Sequence, residues 1–237
     1  MKTKSRAALA VAALGGVALL AGAYAPIVAR AQSITSPSQA AMAEDKGKFR
    51  ILLAGQTIGT EDFEISASEG KWIARGTTEA HTPGGGDSKT TGELQLASDG
   101  TPIHYAWSTD SPKAASGTVD FDSDTAKTST DFGSGHVYHE DFKFPSRAVV
   151  LDNNLYEQYA VLARLYDWRA GAEQSFPVLI PQDITPGTIK VETGGGAGGL
   201  AELVVKSADL EIHLFCDASH RLVRLEVPAS NVVVERQ

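Results

Sequence analysis

The stretch LDNNLYEQYAVLARLYDWRAGAEQSFPVLIP, residues 151–181, decides the fold because it contains the one convincing helix pattern of the chain. Asn154, with Glu157 three residues further on, is typical of a helix N-terminus. Apolar side chains then recur at spacings of four, three and four, at Leu155, Tyr159, Leu162 and Tyr166. Such spacing places them on one broad face. The pattern predicts a single helix near residues 154–168.

The segments on both sides of this helix alternate like β-strands. Phe63 and Ile65 alternate with acidic and small polar residues, and Tyr105 and Trp107 share one face of a later segment. Six or seven such segments precede the helix and about six follow it. We therefore predict a mainly β fold: an antiparallel meander forming a curved sheet or half-open barrel, with about 11–13 strands and the helix packed against it.

The first 31 residues are typical of a cleaved signal peptide. Lys2, Lys4 and Arg6 precede an uncharged run over residues 7–25, and the sequence Ala-Arg-Ala at 29–31 fits a signal-peptidase site. The alternative is a retained membrane anchor, since the run approaches the roughly 20 residues that a membrane helix needs. The run is rich in Ala and Gly and so only weakly hydrophobic, and the cleavage motif decides for a removed signal. We therefore expect a periplasmic or extracellular protein.

Composition and strand pattern predict how the rest of the chain is divided. Residues 32–48 are rich in Ser, Ala and Gln and predict a flexible spacer. Residues 49–237 predict a single β-rich domain, with possible halves at 49–145 and 175–237 joined by the helix. The sequence ELQLASD at 93–99 parallels EIHLFCD at 211–217, which leaves an internal duplication open.

Charge and cysteine content limit the partners. The formal net charge is −8, and it becomes −12 without residues 1–31, which carry four basic residues and no acid. Because this excess repels phosphate backbones and anionic head groups, we expect no nucleic acid partner and no permanent membrane span after cleavage. Cys216 is the single cysteine, so a disulfide within the chain is excluded.

The densest group of possible metal ligands is GHVYHED at 135–141. On a strand, His136 and Glu140 share one face whereas His139 lies on the other, so the two imidazoles cannot chelate one ion. A polar strand end is the favoured interpretation, although His136 and Glu140 could contribute to a site.

The remaining chemical motifs also point away from catalysis. The glycine-rich runs at 84–86 and 194–199 lack the Lys and hydroxyl residue of a phosphate loop, and the chain has no Gly-x-Ser-x-Gly sequence. Cys216 lies on an apolar strand, which favours a structural thiol. We predict no catalytic residue, no metal and no cofactor.

Aromatic residues are the remaining candidates for a binding site. Those on segments expected to meet between sheet and helix could be ordinary core, or they could line an apolar cavity under the helix. The candidate ligand pocket comprises Trp72, Tyr105, Trp107, Tyr159, Leu162 and Tyr166.

Two motifs carry a family resemblance. Gly-x-x-Ile-Gly at 55–59 and Asp-x-x-x-Arg-Leu-Val-Arg-Leu-Glu-Val-Pro at 217–228 resemble uncharacterised exported bacterial β-rich families, which are known only as domains of unknown function. In outline these are similar to the outer-membrane lipoprotein carriers, whose half-open barrel with a helix lid holds acyl chains. The resemblance covers about residues 49–237 and implies fold only.

These observations lead to two hypotheses. The first is a periplasmic or secreted, non-catalytic protein that binds or carries a hydrophobic or lipid-like ligand. The second is a structural or protein-interaction module of the cell envelope, which contacts an envelope protein through exposed strand edges. An enzyme is the third hypothesis, which no catalytic motif in the sequence supports.

Overall fold

The computed structural model describes residues 42–82, 86–111, 113–144, 148–208 and 210–237. The predicted signal peptide and residues 32–41 of the predicted spacer lie outside these ranges, so both stay predictions. Residues 45–48, which the sequence assigned to the spacer, are instead the start of the first strand. No helix within the described ranges is long and apolar enough to cross a membrane.

Fifteen strands and one α-helix form the described part of the chain. The strands before the helix are β1 (Asp45–Leu53), β2 (Gln56–Ser68), β3 (Lys71–Thr82), β4 (Gly86–Leu96), β5 (Pro102–Thr109), β6 (Ala115–Asp122), β7 (Thr125–Asp131), β8 (Val137–Lys143) and β9 (Val149–Val150). The helix α1 (Glu157–Leu165) is followed by β10 (Gln174–Ile180), β11 (Thr185–Thr193), β12 (Ala201–Lys206), β13 (Glu211–Cys216), β14 (Leu222–Val227) and β15 (Val232–Arg236).

All fifteen strands belong to one sheet. Its order runs from β8 back to β1, continues from β15 back to β10, and ends at β9. The first and last strands therefore pair at the centre, where Phe49 is opposite Arg236. Every pairing is antiparallel except that of β9 with β10. The sheet is not closed into a barrel, and the prediction of a mainly β, curved antiparallel meander with one helix is confirmed.

The strand count exceeds the predicted 11–13 because two strands carry no apolar alternation. β7 reads Thr-Ala-Lys-Thr-Ser-Thr-Asp, and its inward positions Thr128 and Thr130 are buried. Threonine favours strands because of its branched β-carbon, but it adds nothing to a hydrophobic pattern. β9 has only two residues, too few for any pattern.

The helix lies inside the curve of the sheet. It contacts β2 and β3 from one half of the chain and β13 and β14 from the other. All nine of its residues, Glu157–Leu165, are buried, so it has no solvent-facing side. The sequence predicted one broad buried face, whereas α1 is buried on every side and fills the interior of the sheet.

The helix is also shorter than the predicted range of 154–168, and it begins differently. Asn154 has a positive φ of 59° and precedes the helix, while Tyr156 occupies the N-cap position without a side-chain cap. The backbone N–H groups of the first turn bind instead to the carboxylate of Glu61 in β2. The predicted cap at Asn154 was wrong because a residue distant in sequence provides the acceptor.

A row of six residues across the first strands, four of them glycine, makes room for this helix. In register, from β1 to β6, the row reads Gly47, Phe63, Gly76, Gly92, Trp107 and Gly117. A Cβ at Gly76 would lie 2.5 Å from Oε2 of Glu157, and one at Gly92 would lie 2.6 Å from Cδ1 of Leu155. The missing side chains thus form a trough that receives the start of α1.

A buried ionic cluster holds the other end of the helix. Arg164 Nη2 lies 3.3 Å from Oδ2 of Asp45, and Arg236 donates to both oxygens of the same carboxylate at 3.0 and 2.8 Å. The Arg236 guanidinium also lies over the rings of Phe49 and Phe63. These contacts connect α1 to β1 and β15, the two central strands.

Candidate functional site

The six predicted pocket residues all belong to the interior. Trp72 is half-buried and packs against the core. The other five are buried: Tyr105, Trp107, Tyr159, Leu162 and Tyr166. Two of the phenol groups have internal partners, since the hydroxyl of Tyr105 donates to Asp152 and that of Tyr166 donates to the carbonyl of Ala172.

Of these six residues, Leu162 alone lines the small cavity between α1 and the sheet. The other walls include Leu94 and Leu96 of β4 together with Val161 and Leu165 of the helix. The cavity measures about 10 Å³. Pockets for small molecules usually measure roughly 300–1,000 Å³, and a single water needs about 10–15 Å³. This cavity is therefore too small for an apolar ligand, and side chains of α1 form part of its wall.

A cluster of buried carboxyl groups surrounds the N-terminus of α1. Glu61, in β2, is fully buried, and its Oε2 and Oε1 accept hydrogen bonds from the backbone N–H groups of Tyr156 at 2.8 Å and Glu157 at 2.9 Å. A carboxylate in this position satisfies helix N–H groups and favours the positive end of the helix dipole. Burial nevertheless raises the pKa of Glu61, although the hydrogen bonds that it accepts lower it.

Glu157 is the second member of this cluster, and its surroundings are unusual. It is fully buried, and the carboxyl group of Glu61 lies beside it. Its carboxyl group lies against the backbone of Gly76. Burial raises the pKa of Glu157 well above the usual range for a carboxyl, and the negative charge of Glu61 raises it further. Burial therefore favours the protonated form of Glu157.

Asp152 is the third buried carboxyl. Its Oδ2 accepts from the hydroxyl of Tyr105 at 2.8 Å, and its Oδ1 accepts from the N–H groups of Asn153 and Gln182, each at 3.0 Å. Burial raises the pKa of Asp152 to about 7, although these hydrogen bonds lower it. Burial also raises the pKa of the Tyr105 hydroxyl, with the charge of Asp152 as the next cause. The side chain thus ties the segment before α1 to β5 and to the 3₁₀ turn Pro181–Asp183.

This cluster is unsuited to turnover of a substrate in the conformation observed. Glu61 and Glu157 are 0% exposed and Asp152 is 2% exposed, so a substrate cannot reach them. Within the described ranges, no group of three His, Cys, Asp or Glu side chains could hold a metal ion.

Sequence reasoning missed the cluster, although one signal for it was present. Glu61 has the same strand parity as Phe63 and Ile65, so alternation alone places its carboxyl inside. Nothing in the sequence pairs it with Glu157 or Asp152, because those residues lie about ninety positions further along the chain.

The second candidate site is the free edge of the sheet at β8. The large hydrophobic residues exposed within the described ranges all lie here, at Phe132, Val137 and Tyr138, with exposures of 38%, 44% and 47%. The ring of Tyr138 is 5.6 Å from that of Phe132 and 4.8 Å from that of His136. We call these four residues the edge patch. The opposite end of the sheet, β9, is short and buried.

The predicted strand alternation holds at this edge. Glu140 and Tyr138 are opposite the buried Thr128 and Thr130, whereas His139 is opposite Ser129 and shares a 2.9 Å hydrogen bond with its hydroxyl. His139 therefore lies on the other face of the sheet from Tyr138 and Glu140, as the period of two required.

Cys216 lies inside the sheet at the end of β13. Its thiol is free and buried, and burial raises its pKa to about 12. Because the thiolate is the reactive form, this side chain is expected to be inert at neutral pH.

Comparison with known proteins identifies a fold. A scan against protein-family models finds no match, and a search of curated proteins finds no similar sequence. A β-barrel-like protein of domain of unknown function DUF1849 from Brucella abortus matches with a TM-score of 0.54 and 10% identity, over 82% of this chain and 94% of that one. A DUF1089 family protein from Pseudomonas aeruginosa matches with a TM-score of 0.44 and 10% identity, over 72% of this chain and 90% of that one.

Identities this low show the fold alone. The first match agrees with the expected resemblance to uncharacterised β-rich families, at the level of architecture. This chain shares a β-barrel-like fold with the Brucella abortus protein.

Proposed function

We propose that this chain is an exported, non-catalytic protein that contacts a partner in the cell envelope through the free edge of β8. The observation that carries the proposal is the edge patch. It combines a seven-residue strand with an unpaired side and the exposed large hydrophobic residues of the described chain.

A free strand of this kind is suited to one type of partner. Its outer backbone N–H and C=O groups can accept a further strand, and side chains at alternate positions then select the sequence that binds. The occupant we propose is an extended segment of an envelope protein whose apolar side chains pack on Val137 and Tyr138. Glu140 and Asp141, both exposed in the same strand, favour a segment that also carries basic residues.

Two features support the remaining parts of the proposal. The sequence of residues 1–31 favours export, and an N-terminus at Gln32 in protein isolated from its own cells would test this part directly. The buried position of Glu61, Asp152 and Glu157 supports a role without catalysis, because these carboxyl groups serve the packing of α1.

Site-specific photo-crosslinking would test the edge. A photoreactive amino acid at Tyr138 should give a crosslinked partner in intact cells, and the same group at Gln56, exposed in the β1–β2 hairpin, should not. The peptide crosslinked to position 138 should be one extended segment of one protein. Equal crosslinking from both positions, or none from Tyr138, would refute the proposal.

Binding of a hydrophobic ligand is a second candidate, which the apolar cavity beside Leu162 favours. At about 10 Å³ the cavity would have to expand by displacement of α1 before an acyl chain could enter. Native mass spectrometry of protein from its own cells, together with titration of a fluorescent fatty acid, would test this function. Unliganded mass and no probe binding would end it.

A further inference from the structure

We propose that the buried Glu61–Glu157 pair is a pH-sensitive latch, which holds the first turn of α1 against β2 and β3 while it keeps a proton. The inference stands independently of the envelope partner proposed above. It concerns the one place in the described chain where two carboxyl groups meet at a buried helix end.

The latch depends on the acceptor oxygens of Glu61 and on one proton. Glu61 lies in β2, nearly one hundred residues before the helix, and its two oxygens accept hydrogen bonds from the backbone N–H groups of Tyr156 and Glu157. Glu157 holds the proton, because its fully buried carboxyl lies beside Glu61, which already accepts two backbone N–H groups. A second negative charge here would have neither solvent nor a cation to stabilise it.

The surroundings offer no compensating positive charge. β3 contributes the backbone of Gly76 and the hydroxyl of Thr78, which donates to the carbonyl of Asn154. The nearby titratable groups are acids or phenols, namely Asp62 of β2, Tyr105 of β5, Asp152 before the helix, and Tyr156 and Tyr159. The arginine on the helix, Arg164, is at the opposite end and pairs with Asp45.

The direction of the pH effect follows from burial. The pKa values of Glu61, Asp152 and Glu157 are all higher in the folded protein than in an exposed carboxyl. Stability that depends on their protonated forms is complete below the ordinary pKa of about 4 and is lost as the pH rises through the folded values, about 7 for Asp152. The latch is therefore tightest below about pH 4 and weakens as the pH rises to neutrality and above.

Opening would have a structural consequence. Release of the first turn of α1 would uncover the glycine trough at Gly76 and Gly92 and the apolar side chains around Leu155. An exported protein experiences the pH of its surroundings, so this helix end would respond to that pH directly.

Hydrogen–deuterium exchange at pH 5.5 and 8.5, corrected for intrinsic exchange rates, tests the latch. In the wild type, the opening equilibrium of residues 152–165 should rise by at least about tenfold at the higher pH, the factor that one pKa unit supplies. β13 should not change. In Glu157→Gln, which keeps the shape without the ionisation, the rise should be clearly smaller, and what remains comes from Glu61 and Asp152. Glu140→Gln, the same substitution at an exposed carboxyl on β8, should behave like the wild type.

Retention of the full pH dependence in Glu157→Gln would overturn the proposal. If Glu157→Gln does not fold, the exchange measurements on the wild type test the proposal by themselves. Exchange that rises in residues 152–165 but not in β13 supports the latch, whereas a uniform rise or no rise refutes it.

Discussion

Substitution of Gly76 by alanine tests whether the sheet is shaped to receive the helix. The new Cβ would lie 2.5 Å from Oε2 and 2.7 Å from Cδ of Glu157, whereas ordinary contact begins at 3.4 Å. The neighbour must therefore move by roughly 1 Å inside a packed core, which typically costs about 1–3 kcal/mol. Alanine in a strand restricts the unfolded chain, which offsets about 0.4–1 kcal/mol.

The expected net result is a loss of about 1–2 kcal/mol in the free energy of unfolding, measured by urea titration. Gly187→Ala in β11 is the matched control. Its Cβ would meet Val178 Cγ1 at 3.4 Å, an ordinary contact, so its stability should stay within about 0.5 kcal/mol of the wild type or rise slightly.

A double-mutant cycle identifies the side chain whose displacement causes the loss of stability in Gly76→Ala. In a Glu157→Ala background the side chain that meets the new methyl group is absent, so Gly76→Ala should cost little and the coupling energy should reach about 1 kcal/mol or more. An equal cost in both backgrounds would show that the carboxyl of Glu157 does not fill the space at Gly76. A Gly76→Ala protein as stable as the wild type would refute the packing argument itself.

Three further predictions concern the core, the ionic cluster and the edge. Leu162→Ala should lower the free energy of unfolding by about 2–5 kcal/mol, because Leu162 is 1% exposed; a change below about 1 kcal/mol would contradict burial of this helix face. Asp45→Asn should cost about 3–5 kcal/mol in the same assay, since Arg164 and Arg236 would lose their shared counter-ion, and a neutral result would mean that the cluster is solvated. Tyr138→Ser should change the free energy of unfolding by no more than about 0.5 kcal/mol, because Tyr138 is exposed. The same substitution should abolish crosslinking to a partner from a photoreactive group at Val137. A large loss of stability would assign Tyr138 to the core.

Sequence patterns were most informative where burial follows a regular period. Alternation at Phe63 and Ile65 predicted the strands of the meander, and the spacing from Leu155 to Tyr166 predicted the one helix. They failed where polar residues take inward positions. β7 was missed because Thr128 and Thr130 do not look apolar, and the cap at Asn154 was wrong because Glu61 accepts the helix N–H groups.

For the candidate pocket, too, the sequence predicted which residues are buried but not how they pack. The aromatic residues Tyr105, Trp107 and Tyr159 were expected inside, and the structure buries all three. Whether buried aromatic residues enclose a cavity or pack against each other depends on how tightly the sheet curves, which no local pattern encodes. Here α1 occupies the interior, and the cavity beside Leu162 is about 10 Å³.

The sequence by itself determined the class of fold, the position of the helix and the acidic balance, because periodicity and charge are local or additive properties. Tertiary structure alone decided that the helix lies inside the sheet, and that Glu61 and Glu157 meet at its first turn. It also decided that β8, rather than a closed seam, presents a free edge. These features depend on which distant segments become neighbours when a fifteen-stranded sheet curves round α1, and only the folded chain specifies those contacts.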